Sequence, residues 1–118
     1  MLKERIEEVT QMNELFYRAF EQLDVALMDS IWAHQEYVTC IHPGWSIRVG
    51  WPAVRDSWVV IFNNTFSMEF ELTELQVQVA ADVAWVICTE KITSRVGENS
   101  QNSRVVSTNI FERIGEEW

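Results

Sequence analysis

The apolar residues change parity partway along one strand-like stretch. Phe66, Met68, Phe70 and Leu72 occupy even positions, whereas Leu75, Val77 and Val79 continue on odd ones. Side chains alternate between the two faces of a strand, so a one-residue slip would turn half of this stretch away from its core. A β-bulge absorbs such a slip, and the parity break places one near Thr73-Glu74. Bulges bend a sheet and increase its twist. A chain with this feature therefore needs a curved antiparallel sheet and something to fill its hollow side. The other strand signals agree. Ala81-Asp82 reads as a tight turn, and Val83–Ser94 as an interior strand, apolar on both faces at Trp85-Val86-Ile87-Cys88. A polar loop over 97–102 precedes a further strand, Arg104–Arg113, and Gly115-Glu116 starts another turn.

Helical periodicity supplies the filling. Ile6, Val9, Phe16, Phe20 and Leu23 recur at helical spacing, which predicts an amphipathic helix over about residues 2–22. Asp24 then reads as the N-cap of a shorter helix, Val25–Ala33, burying Leu27, Met28, Ile31 and Trp32. Tyr37–His42 is a strand that stops at Pro43-Gly44, and Ser46–Val49 returns beside it. Gly50 and Pro52 open a third helix with Val54, Trp58, Ile61 and Phe62 as its apolar stripe, and Asn63-Asn64 closes it. Helices first and long strands after them define an α+β layer arrangement, with helices packed on one face of a curved sheet. At 118 residues the chain is one domain.

Composition narrows the partners. Eighteen acidic against nine basic residues give a formal charge of −9, which disfavours nucleic acid, because phosphate backbones demand clustered Lys and Arg. No apolar run approaches the roughly 20 residues that cross a bilayer, and Trp58–Phe62 is the longest stretch of that kind. The charged N-terminus has no signal core. Cys40 and Cys88 sit in apolar stretches and read as reduced, buried thiols. A cytoplasmic protein, without membrane contact, is the expectation. Tryptophan is the unusual component: six are present, five of them between Trp32 and Trp85.

Val38-Thr39-Cys40-Ile41-His42-Pro43-Gly44-Trp45, then Gly50-Trp51, then Ser57-Trp58, resembles the SnoaL-like branch of the nuclear transport factor 2 superfamily. The likeness covers nearly the whole chain and is most specific over 38–58. It implies a cone-shaped α+β barrel, in which a strongly curved antiparallel sheet wraps the helices and leaves a pocket at its wide end. It also implies homodimerisation through the outer face of the sheet. Relatives of this kind continue past a Gly-x-x-Trp turn into a final strand. Here that turn is Gly115–Trp118, where the sequence ends, so the expectation is a single domain over 1–118 in which the final strand is either absent or lies beyond Trp118. If it is absent, residues 104–113 form a sheet edge.

Candidate site residues follow from position and chemistry. His42 ends a strand beside Trp45. It is either an acid or base at a pocket mouth or a structural histidine capping the turn. Glu90 shares parity with Ala84, Val86, Cys88 and Ile92. On the concave face it is a candidate base, and on the convex face an interface or rim residue. Asn109 is the comparable polar candidate on the next strand. Trp45, Trp51, Trp58 and Trp85 would line a pocket, although Trp58 and Trp85 also read as plain core. Arg48 either holds an anionic ligand or is solvated. His34 reads as a solvated helix-end residue, and Glu69 and Glu71 as a solvated strand face. Two histidines eight residues apart make no metal motif. No phosphate loop, dinucleotide fingerprint or nucleophile elbow calls for a cofactor or a serine mechanism. The Asp–Tyr–His and Asp–Arg–Asp sets of known enzymes in the superfamily find no residue-by-residue match, with Tyr17 and Tyr37 the only tyrosines.

Three functions remain open. The first is a homodimer binding a small, largely apolar organic molecule in a tryptophan-lined pocket formed by Trp45, Arg48, Trp51, Trp58, Trp85 and Asn109. The second is a proton-transfer enzyme (an isomerase, dehydratase or hydrolase) with His42 and Glu90 as acid and base. The third is an association module, as related folds are in kinase hubs.

Overall fold

A computed structural model describes all 118 residues, the side chain of Val96 excepted. Helix α1 (Leu2–Gln22) buries Val9, Asn13 and Tyr17, spaced four apart, together with Ala19. Leu23, in the left-handed region at φ 53°, ends it and returns its N–H to the carbonyls of Ala19 and Phe20. Asp24 caps α2 (Val25–Ile31) by accepting from the Leu27 amide at 3.0 Å. This helix stops two residues before Ala33. Trp32 leaves it in extended conformation and its ring lies against that of Trp51.

Strands β1 (Thr39–Cys40) and β2 (Arg48–Val49) form a hairpin shorter than the one expected over 37–42 and 46–49. The ladder stops where His42 turns towards helix α3, its ring on Trp58 and its Nε2 on Ser57, instead of extending the strand. Gly50, at φ 87°, then reverses the chain into α3 (Trp51–Asn63), a conformation that a side chain resists. Pro52 occupies its first turn, and Val54, Ser57, Trp58 and Phe62 form its buried face.

The main sheet is β3 (Ser67–Ala80), β4 (Val83–Val96) and β5 (Asn99–Glu112), antiparallel in the order β3–β4–β5. The parity break is a bulge. Thr73 pairs with Thr89 but Gln76 pairs with Ile87, and Glu74 between them has φ 57°. The polar stretch 97–102 is not a loop. Only Gly97-Glu98 turns, and Asn99–Ser103 pair with Val96–Ile92. Polar composition suggested a loop because every side chain from Asn99 to Arg104 is exposed, while the backbone is fully engaged in the ladder. These strands set the 48 Å long axis of the molecule, about the length of 14 extended residues at 3.3 Å each.

Two cores result. Val9 of α1 packs on Ala84 and Val86, with Val77, Val79, Phe111 and Trp118 around them. Ala19, Met28, Val54, Trp58 and Phe62 join the three helices. Around Ala84 and Val86 the hollow side of the sheet is therefore filled by α1. The sheet curves without closing into a barrel: the β1–β2 hairpin is a separate sheet, and β5 is an edge strand of the larger one. After β5 the Arg113 amide bonds to Asp82, Gly115 turns the chain, and Trp118 donates to Glu8 at 3.1 Å. No helix is long and apolar enough to cross a membrane.

Candidate functional site

Alternation along β4 settles the face of Glu90. Ala84, Val86 and Cys88 point at α1 and are at most 1% exposed, and Glu90 follows them on the concave side. Helix α1 presents Asn13 and Tyr17 to the same region, because residues four apart share a face. From β5, Asn109 arrives opposite Val86. These side chains form one hydrogen-bonded cluster. The Tyr17 hydroxyl donates to Glu90 Oε2 and accepts from Asn109 Nδ2 at 3.1 Å. The same amide donates to Asn13 Oδ1 at 2.8 Å, and Cys88 Sγ lies 3.7 Å from the hydroxyl. Asn13 is completely buried, and its own Nδ2 has no partner.

Burial first, and then the hydrogen bond and charge of Glu90, push the Tyr17 hydroxyl far above the ordinary phenol range. The hydroxyl therefore stays protonated near neutral pH and donates to Glu90. Burial likewise raises the Cys88 thiol, which keeps it from nucleophilic use. Glu90 is half-buried on the concave face, and α1 continues past it to Phe70, whose ring lies 4.6 Å from that of Phe20. The cross-strand neighbours of Glu90 are Leu72 and Val105, and Ile92 follows on the same face. All three are half-buried, so one carboxylate borders an apolar shelf.

His42 belongs to a different cluster. Ser57 Oγ donates to the Val54 carbonyl at 2.6 Å. It must then accept from His42 Nε2, 2.9 Å away. The imidazole is thereby fixed as the Nε2–H tautomer. Burial, and then the charge of Arg48, lower its pKa, so it is neutral near pH 7. Cys40 Sγ lies 3.5 Å from Nε2, but burial pushes that thiol up to about 12. The ring meets Trp45 and Trp58 edge-on, at 5.4 and 4.7 Å between centroids, and the Arg48 guanidinium lies 5.0 Å above Trp45.

His42 and Glu90 are thus not a pair. No hydrogen bond links their clusters among the described residues. Ring contacts run from His42 through Trp58 and Phe16 to Tyr17, which interposes aromatic side chains between them.

The tryptophans do not converge on one pocket either. Trp58 is core, 2% exposed. Trp51 stacks on His34 at 4.5 Å and lines a groove of about 440 Å³ with Gln35, Glu36, Val49 and Pro52. Trp85 has the opposite parity to Ala84 and Val86, and therefore lies on the convex face beside Gln78 and Ile110. Among the six residues expected to line one pocket, Asn109 is the one that stands with Glu90. Among the described residues, no cluster could hold a metal. Tyr17 and Asn13 were missed in the sequence, although a signal existed: an asparagine interrupts the Val9–Asn13–Tyr17 stripe at its centre.

A curved sheet filled by a long helix, with a polar cluster buried between the two, defines a class of small α+β domains with concave sites. The chain belongs to the SnoaL-like domain family, whose profile matches residues 9–118, within the nuclear transport factor 2-like superfamily. Among solved structures it is similar to a candidate dehydratase of that superfamily from Streptomyces avermitilis. The two are 35% identical with a TM-score of 0.92, over 100% of this chain and 91% of the other. A candidate association domain of calcium/calmodulin-dependent protein kinase type II from Thiobacillus denitrificans is 25% identical, with a TM-score of 0.75, over 91% of this chain and 84% of that one. The F-box protein SKIP8 of Arabidopsis thaliana is 24% identical over 110 residues, 93% of this chain. The chain spans 45% of the length of that relative.

Proposed function

We propose that the chain binds a small, largely apolar organic molecule beside Glu90 on the concave face of its sheet, and that Glu90 exchanges a proton with it. The observation that carries this reading is the placement of Glu90. It is the carboxylate at the edge of an apolar shelf, with one oxygen held by Tyr17. The other oxygen remains to take a proton, and a general base must lie within hydrogen-bond reach of the proton it removes. Tyr17 orients the carboxylate, and Asn109 and Asn13 orient Tyr17. Leu72, Ile92 and Val105 would hold the body of the molecule and favour an uncharged one. The 35% identity to a candidate dehydratase supports acid–base chemistry of this kind. His42 has no part in it, since its Nε2 proton is committed to Ser57.

The test is proton exchange on a panel of aromatic and polycyclic ketones in D₂O, followed by NMR at the carbon next to the carbonyl. Wild-type protein should accelerate exchange for at least one ketone. Glu90→Gln should lower that rate by about 100-fold or more, a typical general-base contribution, with unchanged thermal stability. Exchange that persists in the variant, or no exchange with any ketone that binds, rejects the assignment.

The convex face supports a second inference, that two copies pair through it. Val106 and Ile110 are each 73% exposed there, beside Trp85 and Ile87. The similarity to an association domain points the same way.

A further inference from the structure

We propose that Arg48, with Trp45, His42 and Trp58, forms a second binding site, apart from Glu90, whose ligand is a small organic carboxylate. Arg48 pairs with Cys40 across the β1–β2 hairpin, so both side chains share the face that packs on α3. The guanidinium lies 5.0 Å above Trp45, and such stacking holds its planar fork in one orientation. Its Nε is buried and has no hydrogen-bond partner. The chain carries 18 Asp and Glu side chains, yet none forms an ion pair with Arg48 among the described residues.

Trp58, edge-on to His42, carries a second buried donor without an acceptor, Nε1. Each desolvated donor left without an acceptor costs free energy, and for the charged Arg48 an incoming acceptor recovers it. The acceptor must be anionic, because a guanidinium gains most from a charged oxygen pair. It is planar and two-pronged, because Nε and a terminal nitrogen present parallel N–H groups at carboxylate spacing. His42 adds no competing negative charge. The aromatic surroundings favour an organic carboxylate over a bare inorganic ion.

The experiment is calorimetric titration with benzoate, with benzamide and inorganic phosphate as controls, on wild type, Arg48→Gln, Arg48→Lys and Glu90→Gln. Saturable benzoate binding is expected in wild type. Arg48→Gln should weaken it at least tenfold, and Arg48→Lys, which keeps the charge and loses the fork, by less. Glu90→Gln should stay within twofold of wild type, so that failure here is distinguishable from failure of the proton-transfer reading. Benzamide should not bind, and added KCl should weaken benzoate in wild type, a check that stands even if Arg48→Gln misfolds. Absent benzoate binding, benzamide or phosphate binding as tightly as benzoate, or equal affinity in Arg48→Gln or Arg48→Lys would each overturn the site.

Discussion

At the scale of single residues, Tyr17 decides most. Its ring is core, touching Phe16 and Phe70, while its hydroxyl joins Glu90 to Asn109. Tyr17→Phe keeps the ring and leaves two polar partners short of a hydrogen bond, which should cost about 1–3 kcal/mol, read as a lower urea midpoint at unchanged slope. A variant as stable as wild type would mean that the hydroxyl is replaceable by solvent. His42 gives a pH dependence. Its folded pKa lies below the ordinary 6.5, so as pH falls the unfolded chain takes up the proton first. Stability is then full above about pH 6.5 and declines as pH drops towards the folded value. His42→Gln can still donate to Ser57 but does not titrate, so its stability profile should be flatter over that range. An equally steep profile in the variant would assign the slope to other groups. Sequence parity grouped Glu90 correctly with Ala84, Val86 and Cys88. It could not say which face that was, because the answer depends on which side of the sheet α1 docks.

At the scale of elements, the sequence was most legible where an apolar pattern had to meet a core. The bulge is the clearest case, since Phe70 and Val77 both have to face inwards from one strand. It was least legible over Asn99–Ser103, where the ladder is held by backbone alone and the side chains carry no pattern. The bulge also has a measurable strain. Glu74 adopts φ 57°, and the left-handed region costs a residue with a side chain roughly 1–2 kcal/mol. Glu74→Gly should therefore raise stability by up to about 1 kcal/mol, the remainder offset by the entropy of glycine in the unfolded chain and by loss of the 3.4 Å bond from Thr89. Glu74→Val, β-branched in the same conformation, should lower it. Urea denaturation of the two variants beside wild type gives both signs, and a glycine variant less stable than the valine one would contradict this account of the bend.

At the scale of the whole molecule, the sheet has two apolar faces and α1 covers only one. The other carries Val83, 41% exposed, and Val106 and Ile110, each 73% exposed, a composition that solvent alone does not favour. A second copy is the occupant we infer, and a stable pair would bury about 800 Å² on each partner. Light scattering at micromolar concentration should report twice 13.8 kDa, and Ile110→Lys should return the chain to monomer while leaving the concave cluster intact. A wild-type monomer at that concentration rejects the pairing. A species larger than a dimer favours assembly of the kind named for its association-domain relative. Charge adds a signature that separates this interface from one built on ion pairs. Each copy carries a formal charge of −9, so association brings like charges together around an apolar centre, and screening weakens that repulsion. Dimerisation should accordingly tighten as salt rises from 50 to 300 mM, values on either side of the ionic strength at which the screening length is about 8 Å. An interface held by salt bridges would loosen over the same range.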